Sequence, residues 1–120
     1  MDLGRYDARM GKRDLFIAMN GLGQIGHIHY VVGQGNAAGA TIAVVTGTPR
    51  QKTPRLADYI LFVPAYVYNG TDERVVPSIQ PMGALFEQHC FLLYDIIIVM
   101  PEERLKVIHD EMAARHRNIE

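Results

Sequence analysis

Residues 20–26 read Asn20-Gly21-Leu22-Gly23-Gln24-Ile25-Gly26 and follow the apolar run "DLFIAM". Gly21, Gly23 and Gly26 have the spacing G-x-G-x-x-G between an expected strand and an expected helix. In that setting glycines let the backbone approach a pyrophosphate, and the helix N-terminus attracts the anion. A dinucleotide site also needs an acid at the end of the next strand, to grip the ribose hydroxyls. That strand ends "VVTGTPR", with Thr46 in the acid's place. Arg50 and Lys52 could hold a ribose phosphate, which leaves an NADP-binding half-domain as one reading. The same residues also fit a different phosphate loop, or a plain tight turn.

Two titratable residues stand out elsewhere. Glu87 lies between Phe86 and Cys90 on an apolar stretch, one helical turn from Phe91. Desolvation there would raise its pKa toward the range useful to a general base. A helix glutamate that caps a loop or pairs with an arginine is the alternative. His116 continues the stripe of Leu105 and Met112, and histidine titrates close to neutrality, which suits proton transfer. An edge histidine favoured by the helix dipole is the alternative there. His27 and His29 are two apart, so a helix puts them on different faces and makes them a poor metal pair. His89 and His109 have no evident partner, and no cluster has zinc spacing, so no metal is expected. Cys90 is expected to be a small core residue. As the single cysteine, it can form no disulfide within the chain.

These residues need elements to hold them. Residues 14–19 and 40–46 read as buried strands, with a helix over 23–37 broken at "GNAAG". "PRLAD" reads as a short helix, and 59–64 as a third strand ended by Pro64. Alternating strands and helices imply a parallel sheet with right-handed crossovers. Residues 65–80 read as a long binding loop or lid, with a turn at Asn69-Gly70 and room for a hairpin in "YVYNGTDERVV". "NGT" also matches a glycosylation sequon, which we read as chance. Pro81 opens a helix expected to run to about Met100 and, being apolar nearly all round, to be buried. Pro101 is expected to stop it and start another.

The chain has 120 residues, 48% of them apolar, and a formal net charge of -1. That predicts one domain over 1–120 with a real core. No basic block points to nucleic acid or to an anionic membrane. The polar N-terminus has no signal-peptide core, and "CFLLYDIIIVM" is interrupted by Asp95 and too short to span a bilayer. A soluble, cytoplasmic protein is the expectation.

The segment "SIQPMGALFEQ", residues 78–88, resembles the "S-x-Q-P-M-G-x-x-F-E-Q" segment of the sugar isomerase (SIS) domain family, and the nearest branch looks like the 6-phospho-3-hexuloisomerases. "KRDLFIAMNGLGQ" resembles the family's strand and loop "K-x-D-L-x-I-A-x-S-G-S-G-E-T". "AAGATIAVVTGTPRQKTPRLADYILFVPA" and the terminal "MAARHRNIE" are similar to two further family blocks, in family order.

The resemblance implies a flavodoxin-like, SIS-type three-layer α/β fold, truncated here to a short parallel sheet. Family members carry a further N-terminal segment with two more strands and a first phosphate loop. It implies a sugar-phosphate ligand, held at Asn20, Gly21, Leu22, Gly23 and Gln24, and isomerisation through an enediolate without a cofactor. Glu87 matches the family's proposed base, and His116 its C-terminal histidine, which helps open the sugar ring. The chain departs from the pattern in the loop. Where the family has hydroxyls, this sequence has Asn20, Leu22 and Ile25, and the last two cannot donate. Each lost hydrogen bond to a charged oxygen would cost about 1.5–3 kcal/mol. A non-catalytic remnant that binds a sugar phosphate or a protein is therefore a second reading. The "DLFIAM" strand becomes a sheet edge, which predicts self-association into a homodimer or tetramer.

Overall fold

The β-branched run Thr41–Thr46 forms the central strand β2 of a three-stranded parallel sheet in the computed structural model, which describes residues 9–106 and 110. Strand β1 (Leu15–Met19) flanks it on one side and β3 (Tyr59–Phe62) on the other, so the order is β1-β2-β3. Both pairings are parallel, with Ile17 opposite Ala43 and Ala43 opposite Tyr59. The chain divides into two compact units, Met1–Cys90 and Phe91–Glu120. The sheet lies in the first.

Side chains alternate along a strand, so each strand shows one set of residues to each face. Phe16, Ala18, Ile42 and Val44 share a face with Val32 of helix α1 (Gly26–Ala37), the crossover from β1 to β2. Val32, Ile42 and Val44 are fully buried, each worth about 1.5–3 kcal/mol of burial. Gly35 lets helix and sheet approach: a Cβ there would sit 2.8 Å from Phe16 Cδ1. Helix α1 starts at Gly26 rather than at residue 23, because Gly21–Ile25 stay in the loop. It ends where Ala38 donates to Gln34 O and Gly39 turns to φ +85°.

The alternate residues face the other way. Leu15, Met19, Tyr59 and Leu61 are exposed there, and among the described residues β1 has a hydrogen-bonded neighbour on one side alone. The expected short helix at "PRLAD" is a single 3-10 turn, Pro54–Leu56. The expected hairpin in 66–76 is not formed. Asn69, at φ +59°, makes the turn that closes on a Gly70 N–H to Val67 O bond, but the chain returns as a single parallel bridge between Ala65 and Val76. Asp72 and Arg74 fill that return with a fork of hydrogen bonds, Nε to Oδ1 at 2.8 Å and Nη2 to Oδ2 at 2.6 Å. The Arg74 guanidinium holds the Asp72 carboxyl down to about 2.

Helix α2 (Ala84–Leu105) departs from expectation at both ends. Pro81–Gly83 form a turn in which Met82 takes φ +54°, and the helix begins three residues later than Pro81. It also continues through Pro101 instead of stopping there. Proline removes one donor, and a long helix absorbs that loss as a local distortion. Nor is α2 buried throughout. Phe86 and Cys90, one turn apart, are buried, whereas Phe91, Leu92, Ile96, Ile98, Val99 and Met100 are exposed. Ala84–Pro101 is long and apolar enough to cross a membrane by length and composition, with mean hydropathy 1.3 over the window. The window is longer than the run "CFLLYDIIIVM" read from the sequence, and a core helix passes the same test.

Candidate functional site

The C-terminal end of β1 runs into the glycine loop, and the loop is held by its own polar groups. Asn20 N–H donates to Val45 O, extending the β1–β2 ladder by one residue. Gly21 O accepts from Gly47 N at 3.1 Å, Thr48 Oγ1 at 2.9 Å and Thr46 Oγ1 at 3.2 Å. Gly23 N–H is shared between Asn20 O at 2.9 Å and Asn20 Oδ1 at 3.0 Å. Gly23 O accepts from Thr53 N at 2.9 Å.

The glycine spacing now has a physical reading. Gly23 sits at φ +72°, and a Cβ there would lie 2.6 Å from Thr48 Oγ1. A Cβ on Gly21 would lie 2.9 Å from Phe86 Cε1. These two glycines are required by the loop's packing against its own neighbours. Gly26 is not: a Cβ there would meet nothing within 4 Å. In a dinucleotide fingerprint the third glycine lets helix and strand pack closely, and here Gly35 does that instead. Thr46, at the position of the ribose-binding acid, is fully buried and spends its hydroxyl on Gly21 O. The glycine spacing therefore gives the NADP reading no support.

A cavity of about 360 Å³ opens beside this loop. Met19, Gly21, Leu22, Ile25 and Ile28 line one side; Val67, Tyr68, Met82, Gly83, Phe86 and Glu87 line the other. Glu87 and the glycine loop, 60 residues apart in sequence, thus share one cavity. Glu87 stands in the first turn of α2, where its N–H donates to Gly83 O and its charge suits the helix N-terminus. Its side chain is exposed, where the sequence reading had it buried. Its charge is felt nearby: burial, and then Glu87, push the Cys90 thiol up to about 11.

The loop residues divide into two groups. Gly21 and Leu22 line the cavity. Asn20 does not present its side chain to a ligand: it is 1% exposed, and both its polar atoms are bound inside the protein. Gly23 is buried with its N–H taken, and Gln24 is exposed. His116 lies outside the described residues, as does His109. His89 Nδ1 is 2.7 Å from Leu85 O on its own helix. Among the described residues no group of three metal-ligating side chains occurs. A second, polar cavity of about 210 Å³ is lined by Thr48, Arg50, Gln51 and Thr71–Arg74.

Thr46, Thr48, Thr53 and His29 escaped the sequence reading as parts of this loop. They lie 9 to 33 residues from Asn20, and their signal is a set of buried hydroxyls that only the fold brings together.

No family model matches the chain. Curated relatives do, over most of its length. The 3-hexulose-6-phosphate isomerase of Bacillus subtilis (strain 168) is 27% identical over 111 residues, covering 92% of this chain and 60% of that protein. The protein of the same name from Mycobacterium gastri is 30% identical over 107 residues, covering 89% and 53%. A crystal structure of a hypothetical protein from Methanococcus jannaschii, described as inferring a molecular function of 3-hexulose-6-phosphate isomerase, matches with a TM-score of 0.70 at 20% identity. It covers 93% of this chain and 58% of that one. The architecture is therefore the α/β fold of that solved structure, over the part that the chain covers. Within that class the chain is a homologue of proteins named 3-hexulose-6-phosphate isomerase, and it spans little more than half the length of these curated relatives.

Proposed function

We propose that the chain is a ketose-phosphate isomerase domain, or the binding remnant of one. The observation that carries this is the shared cavity of Glu87 and the Gly21–Leu22 turn. Isomerisation along a ketose needs one base, placed to take a proton from the carbon beside the carbonyl and return it to the neighbouring carbon. Glu87 fills that role, with the enediolate as intermediate and no cofactor involved. The sugar's phosphate sits at the loop, on the N–H groups of Leu22 and Gln24 and on the uncapped first turn of α1, where Ile25 supplies no side-chain cap. Gly21 and Gly23 shape this turn, and Asn20 braces it from inside. His116 is assigned the ring-opening step by its place in the "RHRNIE" ending.

The apolar lining favours the second reading, a domain that binds without turning over. Leu22 and Ile25 face the cavity where hydroxyls would serve a phosphate better. Conversion of fructose 6-phosphate by the purified chain separates the two. Turnover that drops about 10²–10⁴-fold in Glu87→Gln supports the isomerase with Glu87 as base. Binding without turnover in the parent supports the remnant. The absence of both binding and turnover refutes the proposal.

We assign the protein to the cytoplasm and to a homo-oligomer, dimer or tetramer. The motive is the edge of β1, unpaired among the described residues, with its exposed Leu15 and Met19, since long apolar edges recruit strands. Sedimentation at micromolar concentration should show a dimer or larger. Ile17→Lys, in the middle of that strand, should shift the species toward monomer. A folded parent monomer would dispose of this assignment.

A further inference from the structure

The Asn20, Thr53 and His29 side chains form a continuous line behind the glycine loop. Asn20 and Thr53 are 1% and 0% exposed, and His29, on α1, is half-buried. Asn20 Nδ2 lies 3.1 Å from Thr53 Oγ1, and Thr53 Oγ1 lies 3.0 Å from His29 Nδ1. The first link, from Gly23 N–H to Asn20 Oδ1, is 3.0 Å.

The chemistry of the groups sets the direction of every bond. A backbone N–H donates only, so Asn20 Oδ1 accepts from Gly23. The other end of that amide is then the nitrogen, which donates only, so Thr53 Oγ1 accepts. The one proton on Thr53 Oγ1 is left for His29 Nδ1, which must be bare to receive it. If Nδ1 carried the proton instead, Thr53 would receive two donors, and its own proton would have no acceptor among the described residues. Bonds aligned in one direction polarise each other, so the last acceptor strengthens the first link. Thr53 ties the loop a second time, through its N–H to Gly23 O.

We infer that His29, held as its neutral Nε2–H tautomer, is a positioning residue: it acts through Thr53 and Asn20 to keep the Gly21–Gln24 turn in the shape that meets a ligand's anionic end. The clause about the ligand rests on the function proposed above; the clause about the turn does not. His29 is not among the residues that line the cavity, and it is given no part in the chemistry. Its effect is on the loop's preorganisation, which ligand binding otherwise has to supply.

The test uses the whole chain, with His29→Leu against His29→Gln, and Thr53→Val against Thr53→Ser. Gln and Ser keep an oxygen where an acceptor or hydroxyl is needed; Leu and Val do not. Three readouts apply. Long-range 1H–15N spectra of the parent at neutral pH should show a bare Nδ1 on His29. Amide exchange at Gly23 should quicken several-fold to about tenfold in the Leu and Val variants and return toward the parent rate in the Gln and Ser variants. Fructose 6-phosphate binding should weaken by a similar factor in the same two variants and be rescued in the same way. An Nδ1–H tautomer, or equal Gly23 exchange in all four folded variants, overturns the inference whether or not the sugar binds. Altered exchange with unaltered sugar affinity overturns the positioning role. If the parent binds no sugar phosphate while exchange follows the expected order, the functional reading fails and the turn's dependence on His29 stands. Should His29→Leu not fold, the Thr53 pair carries the same comparison.

Discussion

Gly23→Ala is expected to destabilise the protein by about 2–5 kcal/mol, and Gly26→Ala to leave it unchanged or slightly more stable. The contrast follows from two glycines three residues apart in one motif. At Gly23 the backbone is left-handed, at φ +72°, which costs a non-glycine residue about 1–2 kcal/mol. The added methyl would also lie 2.6 Å from Thr48 Oγ1, 2.7 Å from Gln51 Cβ and 2.8 Å from Thr48 O. Thr48 O is backbone, and Thr48 Oγ1 is fixed by its bond to Gly21 O, so neither yields cheaply. At Gly26 the methyl enters open space at the first residue of α1. Alanine there gains about 0.5–1 kcal/mol of helix preference. Thermal or urea unfolding of the two variants, with no ligand present, checks this. If Gly26→Ala proved as damaging as Gly23→Ala, the third glycine would have a packing role, and the dinucleotide fingerprint would regain its case.

That result would also explain why the opening motif misled on its face. Spacing is a one-dimensional fact, and several three-dimensional arrangements satisfy it. The strands were legible because Leu15–Met19, Thr41–Thr46 and Tyr59–Phe62 are short apolar or β-branched runs, and burial on such runs has few other solutions. The parallel order followed from the helix between β1 and β2, which a tight hairpin cannot contain. The cavity was legible in part: Glu87 and the glycine loop were read as parts of one site through family likeness, and Glu87, Gly21 and Leu22 line one cavity. What burial each apolar residue would find was not legible. Helix α2 is apolar all round, a pattern that is read as a core helix, yet Phe91, Leu92, Ile96 and Ile98–Met100 are exposed. The polar support of the loop was not legible either. Thr53 is unremarkable in "RQKTPRL", and its partners are 33 residues before it and 24 residues before it. A hydroxyl becomes structural only when the fold closes around it, so local patterning carries no trace of it.

Restoring hydroxyls at Leu22 and Ile25 is expected to tighten sugar-phosphate binding by roughly two to four powers of ten. Both residues line the cavity on the loop side, and neither offers a donor. In Leu22→Ser/Ile25→Thr each new hydroxyl can give one bond to a charged phosphate oxygen, worth about 1.5–3 kcal/mol. Ile25 is also the N-cap of α1 and makes no side-chain cap bond. A threonine there can cap the helix when no ligand is present, for a stabilisation of about 1 kcal/mol. Capping and ligand binding would compete for one hydroxyl, so the gain from Ile25→Thr alone should be smaller than that from Leu22→Ser alone. Calorimetry with fructose 6-phosphate on the parent, both single variants and the pair measures all four affinities and whether the gains add. Neighbours in one loop need not be additive. A pair of hydroxyls that leaves affinity within about threefold of the parent would place the phosphate elsewhere than this turn. The polar cavity of Thr48, Arg50 and Gln51 would then be the place to test, with Arg50→Ala as the first variant.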